Sequence, residues 1–141
     1  METVQVDPEH SATNAFMEQF DARPQECVNT IVLSTKQQGE RFHTLALVPA
    51  HVRLDSKALK KALGGRTSFL PMDEALAVTG MERDSIGPIG APEHLDVIAD
   101  PTFLLGDRFI LGGGLTRRKY IVNRAELLEL INRPCEGIYT E

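Results

Sequence analysis

Apolar residues in this chain come in short runs of two spacings, alternating where a strand is expected and recurring at three and four where a helix is expected. Val4 and Val6 alternate with polar neighbours ahead of Asp7-Pro8, which predicts a short edge strand stopped by the proline. Ser11 stands as the cap of a helix carrying Ala12, Ala15, Phe16 and Phe20, ended by Pro24. The runs 30–33 and 42–48 flank Gln37-Gln38-Gly39-Glu40 and predict a hairpin. Asp55 caps a second helix with Ala58, Leu59, Ala62 and Leu63 on one face and Gly64 as its stop. Residues 67–70 read as a strand, and Pro71 to Gly80 as a helix with proline at its start and glycine after its end. Residues 84–92 form a loop, residues 97–99, 108–111 and 120–122 are strands, and Asn123 with Glu126 makes a capping-box start for a last helix.

About six strands with three or four interspersed helices describe an α/β (α+β) domain with a mixed sheet. A length of 141 residues suits one core, expected over residues 3–134, with 135–141 as a C-terminal tail. The formal net charge of −5 argues against a broad polyanion-binding surface while leaving room for a local basic patch. Two cysteines without paired spacing supply neither a disulfide framework nor a four-ligand zinc site. No signal peptide or membrane-length apolar run is seen, so the expected setting is the cytoplasm.

The four histidines, at positions 10, 43, 51 and 94, have no metal-ligand spacing, and neither Cys27 nor Cys135 has a base beside it in sequence. No metal and no cofactor are expected. Gly112-Gly113-Gly114 follows a strand without the spacing of a dinucleotide or phosphate loop. Turn geometry alone explains such a triplet; the alternative is a pocket floor where backbone N–H groups face a ligand, with Arg117, Arg118, Lys119 and Arg124 supplying positive charge. The segment Ile86-Gly87-Pro88-Ile89-Gly90-Ala91-Pro92 is too apolar for a plain surface loop, so it is either a cover on the sheet or one wall of a pocket.

Several pieces in order carry a resemblance. They are the Thr-Ile-Val-Leu strand at 30–33, Leu45-Ala46-Leu47-Val48-Pro49, Arg53-Leu54-Asp55 opening a lysine-bearing helix, and Ser68-Phe69. Val78-Thr79-Gly80, Ile86-Gly87-Pro88-Ile89-Gly90, Val97-Ile98-Ala99-Asp100-Pro101 and the glycine triplet follow. From about Val4 to Ile131 the chain resembles the YbaK/ProX family, prolyl-tRNA-synthetase-associated domains that act as free-standing aminoacyl-tRNA editing deacylases. The resemblance implies a compact, mixed, β-barrel-like sheet flanked by helices. It also implies hydrolysis of the ester that joins a wrong amino acid to tRNA. The implied partner is the acceptor end of aminoacyl-tRNA, with no DNA and no membrane; homo-oligomerisation or a synthetase partner stays open.

Carried onto this sequence, the resemblance places Asn29 where the family has a lysine facing the pocket. It assigns Asp84, Ser85, Ile86, Gly87, Pro88, Gly90, Gly112, Gly113, Gly114, Thr116 and Lys119 to the aminoacyl pocket, and Arg117, Arg118 and Arg124 to tRNA contact. Asp84-Ser85 stands where the family has two small residues, often Gly-Gly, and Lys119 where one branch is often acidic. Asn29 donates a hydrogen bond without charge, so Lys119 or Lys36 becomes the candidate replacement cation. Two readings follow: a deacylase with altered chemistry, or a degenerate homologue that binds tRNA, an aminoacyl group or a protein as a regulatory module.

Overall fold

The computed structural model describes residues 1–7 and 13–141, with only the backbone described at residues 13, 14 and 16. Ser11 and Ala12, expected in the first helix, and the side chain of Phe16 lie outside that description.

The organising element is a long hairpin, β2 (Cys27–Gln37) and β3 (Glu40–Pro49). Its two-residue turn holds Gln38 and Gly39 at φ of 51° and 83°, the doubly left-handed geometry whose twist matches antiparallel strands. Regular pairing runs from Gln37–Glu40 to Val28–Pro49, so residues on β2 alternate faces without a slip. The hairpin is the middle of a mixed sheet ordered β1 (Glu2–Gln5), β8 (Arg118–Val122), β7 (Phe109–Gly112), β2, β3, β6 (Asp96–Ala99), β9 (Arg133–Pro134). A further strand, β5 (Arg66–Phe69), pairs with the far half of β2, and β4 (Arg53–Leu54) pairs with β10 (Tyr139–Thr140).

Each sheet face carries its own core. One holds Val28, Val32, Leu45, Leu47, Phe109, Leu111 and Val122 beneath α3 (Met72–Thr79) and α4 (Arg124–Leu130). On the other, Leu33, Ala46, Val48 and Ile98 lie beneath α2 (Ser56–Leu63). A smaller cluster on that second face joins Cys27, Ile110 and Val6 to Met17 and Phe20 of α1 (Thr13–Phe20).

Helix ends follow the sequence chemistry. Asp55 accepts from the Lys57 and Ala58 N–H groups at 2.9 and 3.2 Å, and Gly64 stops α2 at φ 77°. Asn123 and Glu126 close a reciprocal capping box on α4. No described helix is long and apolar enough to cross a membrane.

The segment 135–141, expected as a tail, is instead packed into the second core. Ile138 is fully buried, and Cys135 and Tyr139 lie beside it. The Tyr139 hydroxyl donates to the Leu47 carbonyl and accepts from the Asp100 N–H. Strands of two residues show no alternation for sequence to register, which is why β4, β9 and β10 escape it.

Candidate functional site

The first half of β2 runs parallel to β7, pairing Cys27 with Ile110 and Val28 with Leu111; the second half pairs with β5 from Leu33–Phe69 onward. Residues 29–32 therefore lie where the strand exchanges one neighbour for another. Asn29 is exposed there despite its central place in the sheet, because it falls between the cluster under α1 and the core under α2. That exposure marks an opening in the cover.

Alternation then collects the other predicted residues. Two positions beyond the Cys27–Ile110 pair, Asn29 and Gly112 share its face, and Gly112 pairs with Lys119 on β8. Asn29, Gly112 and Lys119 thus stand in a row across three strands, about 10 Å from end to end at the usual strand spacing. Lys36 is out of reach: it projects from the opposite face, about 23 Å further along β2. Of the two candidate cations only Lys119 belongs to this region.

The loop after α3 lies on the glycines. A Cβ on Gly112 would meet the Ile86 carbonyl oxygen at 2.4 Å, one on Gly87 would meet the Gly112 oxygen at 2.0 Å, and one on Gly113 would meet the Arg118 oxygen at 2.5 Å. Close approach of that loop explains Gly112, the tight turn between β7 and β8 explains Gly113, and a φ of 85° explains Gly114. Hydrogen bonds lock the contact: the Gly114 N–H donates to the Ser85 carbonyl at 2.6 Å, the Glu82 N–H to the Gly114 carbonyl at 2.9 Å, and the Thr116 N–H to the Glu82 carboxylate at 2.6 Å. Ile86 and Ile89 turn inward against the core under α3 and α4, and Pro88 is buried. Their side chains are a cover on the sheet, while the backbone of 84–87 borders the row. Gly90 is exposed, at φ 80°.

Asp84 adopts φ 61°, a left-handed conformation that glycine takes freely and that Asp tolerates better than most residues. Its carbonyl accepts from the Lys119 ammonium at 3.2 Å. Only 8% of Lys119 is exposed. Burial pushes its pKa below the ordinary lysine range, opposed by the nearby Asp84 and Cys27. The acidic residue in the loop offsets part of the cost of burying the lysine on β8, and burial still prevails. Ser85 is fully buried, and its hydroxyl has no hydrogen-bond partner among the described residues.

The basic stretch divides. Arg117 is exposed, whereas Arg118 donates through Nε to the Gly113 carbonyl at 2.7 Å and lies over the Tyr120 ring at 5.4 Å. Arg118 thus braces the glycine turn. Arg124 opens α4, its backbone N–H on Asp107 at 3.3 Å and one guanidinium nitrogen buried without a partner among the described residues. Sequence reasoning found no trace of the open cleft of about 550 Å³ between α2 and the C-terminal segment, bordered by Lys61, Arg133 and Cys135. It shares no residue with the row.

A family model described as aminoacyl-tRNA editing domain matches residues 7–130. The chain belongs to the aminoacyl-tRNA editing domain family. Solved structures agree on the fold. One is a crystal structure of a candidate trans-editing enzyme for prolyl-tRNA synthetase, with 20% identity, TM-score 0.84 and coverage of 99% of this chain and 86% of that one. Another is the hypothetical protein APE2540, with 15% identity, TM-score 0.87 and coverage of 99% and 91%. A comparison with the curated proteins gives no match. The editing-domain match takes in Asn29, the loop 84–90, the glycine triplet and Lys119.

Proposed function

We propose that this chain is a trans-acting aminoacyl-tRNA deacylase whose site is the row Asn29, Gly112, Lys119 and the loop backbone of 84–87. In the reaction, water attacks the ester carbonyl carbon, the bond from that carbon to the ribose oxygen breaks, and the ribose oxygen takes a proton. The amino acid leaves as its carboxylate, and a second proton goes to solvent. The observation that carries the reading is the juxtaposition, inside an editing-domain fold, of an exposed amide, a side-chain-free floor and a buried ammonium.

Developing negative charge on the carbonyl oxygen calls for fixed donors and nearby positive charge. The Asn29 amide serves as a donor at the floor. Lys119 is a positioning residue: its ammonium holds the Asp84 carbonyl and so the left-handed turn, and it lends positive potential in a site where burial strengthens it. Arg117 meets the acceptor end of the tRNA, and the setting is the cytoplasm, where that substrate circulates. Selection of the amino acid rests on the opening at Asn29, where one methylene is worth about 1–3 kcal/mol.

The deciding experiment offers the purified protein tRNA charged separately with alanine, serine, cysteine and proline, and measures release of the amino acid. Hydrolysis of at least one substrate is expected, with Asn29→Lys equal to or faster than the parent chain. Binding of charged tRNA with no turnover by either protein would overturn the reading in favour of a regulatory binding module.

A further inference from the structure

The site uses the Asn29 end of β2 and leaves the other end unexplained. There Lys36 pairs with Arg41 on β3 and with Arg66 on β5, so three cations stand abreast on one face of three neighbouring strands, about 10 Å across. All three are exposed, and among the described residues none of them forms an ion pair. Arg41 donates to the Ser34 hydroxyl at 3.3 Å. On the same face the next row inward is Ser68, Ser34 and His43. The adjacent carboxylate, Glu40, pairs with Gln37 and alternates to the other face.

Like charges directly opposite one another across strands destabilise a sheet. In a chain of net charge −5 such a row has no electrostatic reason of its own. We propose that it is a binding surface for the phosphodiester backbone of RNA, engaging the body of the tRNA whose acceptor end enters at Asn29. This rests on the deacylase reading. A line of cations with the exposed Ser68 hydroxyl and the half-buried His43 imidazole beside it matches successive phosphates better than a single carboxylate. The row lies about 23 Å along β2 from Asn29 and on the opposite face of the sheet, so the tRNA passes around the sheet between the reacting ester and the contacts that hold its body. Two points of attachment let a protein of acidic overall charge retain a polyanion through a few residues.

The test uses fluorescence anisotropy with labelled, uncharged tRNA at stepped salt, comparing the parent chain with a Lys36→Gln, Arg41→Gln, Arg66→Gln triple variant. At least tenfold weaker binding is expected. The slope of log K against log salt should shrink by about two to three, since each phosphate contact contributes about 0.7–0.9. Thermal melting should hold or rise, because mutual repulsion is relieved. Turnover of charged tRNA should fall through KM, while hydrolysis of a 3′-aminoacyl adenosine, too short to reach the row, stays unchanged.

Unaltered affinity and slope would overturn the RNA surface and leave an acidic protein as the occupant. If neither ester is hydrolysed by the parent chain and the triple variant still loses tRNA, the deacylase reading fails and the surface stands. Should the triple variant melt early, Lys36→Gln alone carries the same test, with a slope change of about one expected and no change overturning the proposal.

Discussion

Two buried polar corners sit on opposite halves of this sheet, and they are built to opposite standards. At the end of β6, Asp100 is 1% exposed, yet its carboxylate accepts from the Thr102 N–H at 3.0 Å, the Thr102 hydroxyl at 2.6 Å and the Gly137 N–H at 2.8 Å. Burial works to raise its pKa, but those bonds together outweigh it and hold the carboxyl below the usual range. At the loop 84–87 the accounting is left open. Lys119 is buried with its pKa depressed, Asp84 is left-handed and the Ser85 hydroxyl has no partner among the described residues. A satisfied network fastens the C-terminal segment, whereas the other corner buries a hydroxyl that the described residues leave unbonded, as expected of the site proposed above.

The largest way to break the comparison is to damage the satisfied corner. Asp100→Ala leaves the Gly137 and Thr102 donors without their acceptor and should cost about 3–4 kcal/mol in urea unfolding. The same group sets a pH response. With its folded pKa below the unfolded value, its contribution is present above that unfolded value and fades as pH falls through the folded one, so Asp100→Asn should flatten the acid limb of stability. An acid limb and midpoint identical to those of the parent chain would show that the network holds nothing together.

Lys119→Met probes the other corner and should move stability and activity in opposite directions. Relief of a buried ammonium raises stability at neutral pH. That gain should shrink as pH rises through the depressed folded pKa and be gone above the ordinary lysine range, where both states have lost the charge. Deacylation should fall about ten- to hundredfold, the effect of one charge at a screened distance of 5 to 10 Å. In the parent chain, activity that depends on the protonated amine should decline at a lower pH than a solvent-exposed lysine would give. Adding Asn29→Lys to Lys119→Met restores a cation across Gly112 and should recover most of the rate. Equal loss in both variants would remove Lys119 from the electrostatics of the reaction.

How far the sequence carries depends on whether the signal is local. The hairpin, the caps at Asp55 and Asn123, the glycine stops at 64 and 80 and the strand run 109–111 are written in adjacent residues, and the observed elements follow them closely. Asn29, the loop and the glycine triplet came from an ordered pattern. Their meeting depends on strand register, which no local spacing states: β2 must change neighbours between Val28 and Leu33 for an exposed amide to exist at all. The same register dismissed Lys36 from the site and gave it company in Arg41 and Arg66. Tyr139 and Asp100 are brought together from 39 residues apart by a segment whose two-residue strands carry no pattern.

Ser85→Ala gives the smallest expected shift and the sharpest reading of the open corner. Its hydroxyl is fully buried without a partner among the described residues, so removing it discards a desolvated polar group and keeps the β-carbon that fills the space. Stability should therefore rise by about 1 kcal/mol, against the usual direction of a buried substitution. Activity separates the explanations. A hydroxyl that meets the attacking water or the aminoacyl group loses a hydrogen bond when truncated, and kcat/KM should fall about three- to tenfold in a protein that has become harder to unfold. A fall in stability with unchanged turnover would mean that Ser85 is bonded within the fold, and the two corners would then be built alike. A gain in stability with unchanged turnover would leave the open hydroxyl real but idle, and would move the site towards Asn29.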